Sequence, residues 1–454
     1  TVHMSGFFFR MHAEDFQLRS QYGPVAGATA ADWPVTLDEM TPFYDEVERT
    51  IGVSGDANAN PLEHPRSPYP LAPIVHHPSA KLVEAACAKL GVRCFPTPRA
   101  ILSADYQGRK GCAYCSFCGS YGCELGAKSS TLVTFLALAT ATGRLALQPR
   151  SMVTRITTDR RGRASGVEYL DDKGALDKAS ARVVIVAASA VQSARLLLAS
   201  GLANSSGLVG KNLMFSTMSA LYGRFSLPDP HWAPQGKELP FLDRTVQDYY
   251  SVPSAGLPHA KAGTLLFMLP HVNPIYQTEK LAGLDGEEPP LWGAALRRRM
   301  REYFVDTRTI EVETFAEFLP HDGCDVTLDP EVKDRFGLPV ARIRLGVHPA
   351  SLAASDFLAA KGKQILAAAG ATKVGQYQGD RAYLVLQAGT ARMGTNPRDS
   401  VIAPTGQAHD VTNLYVADAS GFPSAGAAPY TLTIMANALR IAAQVASEGR
   451  RGNL

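Results

Sequence analysis

The 454 residues carry little net charge: 45 Lys and Arg against 42 Asp and Glu leave +3, with 11 His counted neutral. So even a balance, with the one basic cluster at 297–301 standing alone, excludes a nucleic-acid surface and leaves that cluster as a solvated helix face. No apolar run approaches the roughly 18 residues of a membrane helix, the nearest being 183–191, so no membrane span is expected. Attachment through a partner stays open, as does the choice between cytoplasm and periplasm. Thr1-Val2-His3-Met4 offers neither an initiator Met nor the regions of a signal peptide, and the chain is expected to begin after something removed or not included. Cysteine is scarce too. Of 7 in all, four crowd into 112–123, which excludes a secreted disulfide framework and points to metal or cluster chemistry. Internal repeats, low-complexity tracts and any Gly-x-Gly-x-x-Gly turn are absent.

What is present is an ordinary globular composition, 46% hydrophobic with 39 Gly and 30 Pro, in a chain about three times a typical domain length. Thr36 followed by Glu39 predicts a capping box opening a helix over 37–50. Ser79 predicts the cap of a second helix, with Val83, Cys87 and Leu90 on one face and Gly91 as its stop. A third helix is expected over 129–142. The period then shifts to that of strands, with a hairpin from 152–157 and 166–170. The run 182–188 reads as a doubly buried parallel strand leading into a helix over 190–200, a cofactor-side α/β junction. Strand-like pieces at 263–269, 310–319 and 340–345 read as a second, mostly non-parallel domain, closed by a helix over 351–369. A final strand at 414–417 delivers Asp418 to its C-terminal end, and a helix over 432–448 starts beside it, an arrangement suited to a dinucleotide.

The stretches Gly389-Thr390-Ala391-Arg392-Met393-Gly394, Asn413-Leu414-Tyr415-Val416-Ala417-Asp418-Ala419-Ser420, Phe422-Pro423 and Thr431-Leu432-Thr433-Ile434 closely resemble the flavin-binding C-terminal region of the glucose-methanol-choline oxidoreductases. Thr1-Val2-His3-Met4-Ser5 running into Gly6-Phe7 is similar to the end of that family's first signature, with His3 near the flavin. Ala188-Ser189 through Ser200-Gly201 is similar to the second signature, with Ser189 where Gly is commoner, and Val153 matches the position whose backbone contacts the adenine part of FAD. The resemblance implies an α/β fold (α+β overall), in which a discontinuous FAD-binding Rossmann-like domain (1–35, 140–215, 384–454) holds an inserted antiparallel-sheet substrate domain (216–383). A cap region carrying the Cys-rich loop covers 36–139. It also implies FAD contacts from Thr1, Val2, His3, Met4, Ser5, Val153, Ala188, Ser189, Asp418, Ala419, Pro429, Tyr430 and Thr431, and hydride transfer from a carbinol carbon to flavin N5 while a base takes the hydroxyl proton.

Two departures bear on that chemistry. The family's basic His falls on Leu386, and its Asn or His partner on Pro429, or on Ala428 after a one-residue slip. None of these side chains moves a proton. Gln387 and Tyr430 are the nearest polar substitutes, yet a Gln has no useful pKa and a free Tyr titrates near about 10. The family's first βαβ unit should precede Thr1, which implies a fragment or a unit supplied by another polypeptide.

Cys112-x2-Cys115-x2-Cys118-x4-Cys123 has the spacing of converging thiolates, closer to iron-sulfur than to zinc-knuckle patterns. An iron-sulfur cluster, a zinc or disulfide-stabilised loop, and unliganded thiols are the three readings. Similar Cys-rich loops in the dehydrogenase branch of the family imply electron transfer to a partner subunit. Cys87, Cys94 and Cys324 read as isolated core residues, and His76, His77, His321 and His348 as structural. The leading expectation is an FAD-dependent dehydrogenase of a sugar, polyol or other alcohol, passing electrons to an acceptor other than O2. The alternative is a catalytically altered or assembly subunit completed by a partner chain.

Overall fold

The structure, a computed structural model, describes residues 6–115, 118, 121–232, 239–270, 274–283, 289–377 and 382–454, the side chains of 382–384 excepted. Helix α1 (Leu37–Ile51) begins as its sequence dictates: the Thr36 hydroxyl accepts from the Glu39 amide at 3.2 Å, and the Glu39 carboxylate accepts from the Thr36 amide at 2.7 Å. Its buried face of Met40, Tyr44, Val47 and Ile51 joins the main core. It stops at Gly52, in the left-handed region at φ 75°, where a Cβ would come within 2.5 Å of Leu102.

Helix α2 (Ala80–Lys89) forms where expected, but the Ser79 hydroxyl pairs with His77 Nδ1 at 2.8 Å and does not cap it. In place of a single helix over 129–142 there is a 3-10 turn (Thr131–Val133) and a short helix (Phe135–Ala141) that buries no side chain. Without a core-facing stripe nothing extends it. The longer helices α3 (Ser189–Ser200), α4 (Pro349–Ala368) and α5 (Thr431–Arg450) lie where the periodicity puts them.

In chain order the strands are β1 (Phe95–Pro96), β2 (Met152–Thr158), β3 (Ala164–Leu170), β4 (Leu176–Ser180), β5 (Val184–Val186), β6 (Met214–Thr217), β7 (Ala220–Ser226), β8 (Arg244–Val246), β9 (Gly263–Met268), β10 (Thr307–Ala316), β11 (Asp325–Lys333), β12 (Pro339–Arg344), β13 (Lys373–Gln376), β14 (Ala382–Ala388) and β15 (Leu414–Val416). Strands β2 and β3 make the expected hairpin, and fully exposed β4 adds a third strand that no apolar alternation announces. β5 and β15 pair in parallel. The run around β5 is not doubly buried, since Ile185 is 46% exposed.

An antiparallel sheet in the order β1-β8-β9-β10-β6-β14, with β7 bridging β10 to β13, forms the other layer, drawing strands from Phe95 as well as from Ala382–Ala388. One face of β10, Ile310, Val312 and Ala316, packs with Leu358 and Ile365 of α4. Because side chains alternate along a strand, Glu311, Glu313 and Phe315 occupy the opposite face. Thr36→Ala is expected to cost about 1 kcal/mol through loss of the cap, read as a lower urea midpoint with unchanged slope.

Candidate functional site

The layers meet at Asp418, at the C-terminal end of β15. One carboxylate oxygen accepts from the Ser189 amide at 2.9 Å and the Ser193 hydroxyl at 2.6 Å; the other accepts from the amide of Ser420 at 2.9 Å and from its hydroxyl. Asp418 thereby clamps the start of α3 to the turn after β15. The loop at Gly389-Thr390 crosses the same point, with the Gly389 amide on the Ala419 carbonyl at 2.9 Å and the Thr390 hydroxyl on the Ala190 carbonyl at 2.7 Å. Ser189, Leu386 and Thr390 hold φ of 71°, 56° and 80°, left-handed conformations costing about 1–3 kcal/mol each, which cluster at functional sites. Helix α5 then starts without a side-chain cap, and the amides of Thr431, Leu432 and Thr433 have no partner among the described residues. Its dipole presents positive potential there.

Beside this crossing Phe7, Phe9, Met218, Leu266, Phe315 and Ala428 belong to one buried apolar cluster, a candidate chamber wall, with Leu386 packed against it. Two of the positions that carry no proton-handling group, Leu386 and Ala428, therefore meet in the same cluster.

Behind the chamber lies a buried ionic cluster. The Lys261 ammonium donates to the carboxylates of both Asp15 and Glu317, all three side chains being inaccessible. Burial works against the ammonium, but Asp15 and Glu317 outweigh it and hold its pKa above the usual lysine range. The Tyr250 hydroxyl donates to Asp15 at 2.8 Å and accepts from the Ala427 amide at 3.1 Å. The second oxygen of Glu317 and the hydroxyl of Tyr430 are buried with no partner among the described residues. Burial, and then the charge of Glu317, push the Tyr430 phenol well above its ordinary range, so it can donate a hydrogen bond but not take a proton.

These features fit a flavin dinucleotide on the observations of uncapped α5 amides and orphaned buried hydroxyls. Ala188, Ser189, Asp418 and Ala419 lie at this crossing, where the Asp418 carboxylate is already occupied by four donors, and Tyr430 and Thr431 stand at the start of α5. Pro429 lies between Ala428 and Tyr430 at the chamber rim, Gln387 is half-buried beside Leu386, and Val153 projects outward, 38% exposed, on β2. Thr1, Val2, His3, Met4 and Ser5 lie outside the described residues.

Cys112, Cys118 and Cys123 are half-buried and Cys115 is exposed; among the described residues no three His, Cys, Asp or Glu side chains form a metal-holding group. Burial pushes the Cys118 thiol up to about 11, so it is protonated at neutral pH. As presented here, the four thiols do not fit a closed ligand set. Cys87 and Cys94 are not isolated, because their sulfurs hydrogen-bond each other, with the Cys94 thiol lowered and the Cys87 thiol raised by that contact. His348 caps α4 through Nδ1, which accepts from the Ala350 amide at 3.2 Å. The sequence reading missed Asp15, Tyr250, Lys261 and Glu317. Only the Glu residues left a signal, carboxylates at 311, 313 and 317 recurring at period two in an otherwise apolar strand.

The family model described as GMC oxidoreductase matches in two parts, at residues 30–217 and 320–438. The chain is 31% identical to 6'''-hydroxyparomomycin C oxidase of Streptomyces lividus, over 98% of this chain and 78% of that protein. It is 30% identical to 2-methyl-1,2-propanediol dehydrogenase of Mycolicibacterium austroafricanum, over 97% and 78%. Formate oxidase of Aspergillus oryzae superimposes with a TM-score of 0.61 at 14% identity, over 99% of this chain and 83% of that one, a likeness of fold.

Lys261→Met strands two buried carboxylates and is expected to cost about 3–5 kcal/mol, measured by urea unfolding. Adding Glu317→Gln to that variant should recover part of the loss.

Proposed function

Since the chain belongs to the GMC oxidoreductase family, we propose that it oxidises a hydroxyl group of a sugar, polyol or other alcohol, with FAD as the hydride acceptor. The observation that carries this reading is the Asp418 clamp, tied through the Gly389–Ala419 bond to the strand that bears Leu386, together with the uncapped α5 terminus that follows Ala428, Leu386 and Ala428 meeting Phe7, Phe9 and Phe315 in one apolar cluster. FAD, when bound, supplies the electrophilic centre that takes hydride with its electron pair. The chain's own part is positioning. The start of α5 at Thr431 offers uncapped backbone amides suited to a phosphate or a developing negative charge, while the Ala188 and Ser189 amides are taken by Ser193 and Asp418. The Tyr430 hydroxyl, without a partner among the described residues, can donate a hydrogen bond, and the aromatic side chains of the apolar cluster would exclude water and receive an apolar face of the substrate.

A purely structural subunit is disfavoured, because the relatives at 30% and 31% identity are named as a dehydrogenase and an oxidase. We assign the electrons to an acceptor other than O2, a reading supported by the dehydrogenase relative and by the Cys-rich loop. The same loop supports two finer readings, an iron-sulfur cluster on Cys112, Cys115, Cys118 and Cys123 and a partner subunit that draws electrons from the flavin. Among the described residues these thiols do not gather into a metal-holding group.

The purified protein should show flavin bands that bleach with dithionite and, anaerobically, with 2-methyl-1,2-propanediol, glucose or 1-butanol. Turnover should be faster with a quinone dye than with O2. Flavin absent, or flavin that no alcohol reduces, would overturn the reading. Iron at background level in anaerobically purified protein would remove the cluster.

A further inference from the structure

We propose that Glu313, on β10 of the antiparallel sheet, is the base that receives the substrate's hydroxyl proton, doing from the sheet side what Leu386 and Ala428 cannot do from the flavin side. The inference rests on the alcohol-oxidising reading above and deepens it. Glu313 points to the same face as Phe315 and pairs across the sheet with Leu266, and both of those residues belong to the apolar cluster that holds Ala428 and against which Leu386 packs. It sits deep in the fold yet stays partly reachable by solvent.

The other carboxylates nearby are engaged. Glu311 accepts from the Tyr377 hydroxyl at 2.7 Å, Glu317 and Asp15 share Lys261, and Asp243 holds Arg99 at 2.6 Å. Glu313 alone of this group has neither a hydrogen bond nor an ion pair among the described residues.

Its electrostatic setting suits the task. Burial, reinforced by Glu311 two residues away, pushes the carboxyl up to about 7, while Arg99, stacked 4.2 Å from the Phe7 ring, pulls the other way. The residues paired with it, Leu266 on β9 and Ala220 on β7, bring no charge, and Lys280 acts on Glu311. A carboxylate balanced near neutrality is a better proton acceptor than an ordinary exposed one. In the reaction the O–H bond breaks and its proton goes to a Glu313 oxygen. The carbinol C–H bond breaks with its electron pair leaving as hydride to the family's flavin, and a C=O bond forms. The alcohol is oxidised, the flavin is reduced, and Glu313 returns its proton to solvent.

The test is stopped-flow reduction of the holoprotein's flavin by whichever alcohol of the panel reduces it fastest, in wild type, Glu313→Gln and Glu313→Asp. Wild type should speed up as pH rises through about 7. Glu313→Gln should be slower by about 10²–10⁴-fold and lose that pH dependence, with flavin content unchanged, and Glu313→Asp should keep part of the rate. A second readout needs no turnover. A carboxyl raised in the fold opposes folding once ionised, so its stability contribution is complete below the unfolded value and is lost as pH rises through about 7. Glu313→Gln should therefore raise the melting temperature relative to wild type at pH about 8 and not at pH about 4. Equal rates and pH profiles in wild type and Glu313→Gln would overturn the assignment while leaving alcohol oxidation intact. Wild-type flavin that no alcohol reduces would overturn both.

Discussion

The fold turns on a single lysine. The Lys261 ammonium is wholly enclosed, and the two carboxylates that neutralise it come from distant parts of the chain, Asp15 early in the described residues and Glu317 just after the central strand β10. An unpaired buried charge costs several kcal/mol, so the sheet, the first helix region and the C-terminal loop are held to one arrangement in which every partner is present. Tyr250 extends the constraint by bonding Asp15 and the Ala427 amide, which places the chamber floor relative to the start of α5. Trp33 and Ser424 fasten the same junction, with the indole on the Ser424 hydroxyl at 2.8 Å and that hydroxyl on the Asp15 carbonyl at 2.9 Å. Chamber geometry is thus a consequence of charge pairing as much as of apolar packing.

Much of the architecture is legible in sequence because it follows from local rules. The Thr36–Glu39 box, the hairpin before and after 159–162, and the strand ending at Asp418 each rest on a few neighbouring residues whose chemistry admits one solution. The α/β fold with an antiparallel sheet follows from the family motifs. Failures occur where the deciding partner is remote. Ser79 carries a cap residue's chemistry, yet His77 captures its hydroxyl; β4 has no apolar pattern and exists because β3 offers an edge. The stretch 129–142 has helix-forming composition but no packing surface, so only its second half winds.

The site divides the same way. Motif positions such as Ser189, Asp418 and Thr431 are named by their resemblance to the family's signatures, and by the same resemblance the family's basic His falls on Leu386. The replacement for that His is not legible in sequence, because Glu313 lies in a divergent part of the chain and gains meaning only when pairing with Leu266 places it beside the apolar cluster. Lys261 and Asp15 are still less visible, being 246 positions apart. The left-handed conformations of Ser189, Leu386 and Thr390 are tolerated because three chain crossings fix them at once.

The Lys261 enclosure also sets the order of events on the ribosome. Three residues within 15–44 find polar partners 246 to 409 positions later: Asp15 on Lys261, Trp33 and the Asp15 carbonyl on Ser424, and Tyr44 on Thr433 at 2.8 Å. Until the last turn of polypeptide emerges, the early segment has aromatic and charged groups without counterparts. Such non-local closure slows folding and leaves sticky surface open meanwhile. Loss of Ser424 or Thr433 would therefore strip partners from residues 15, 33 and 44, far away in sequence.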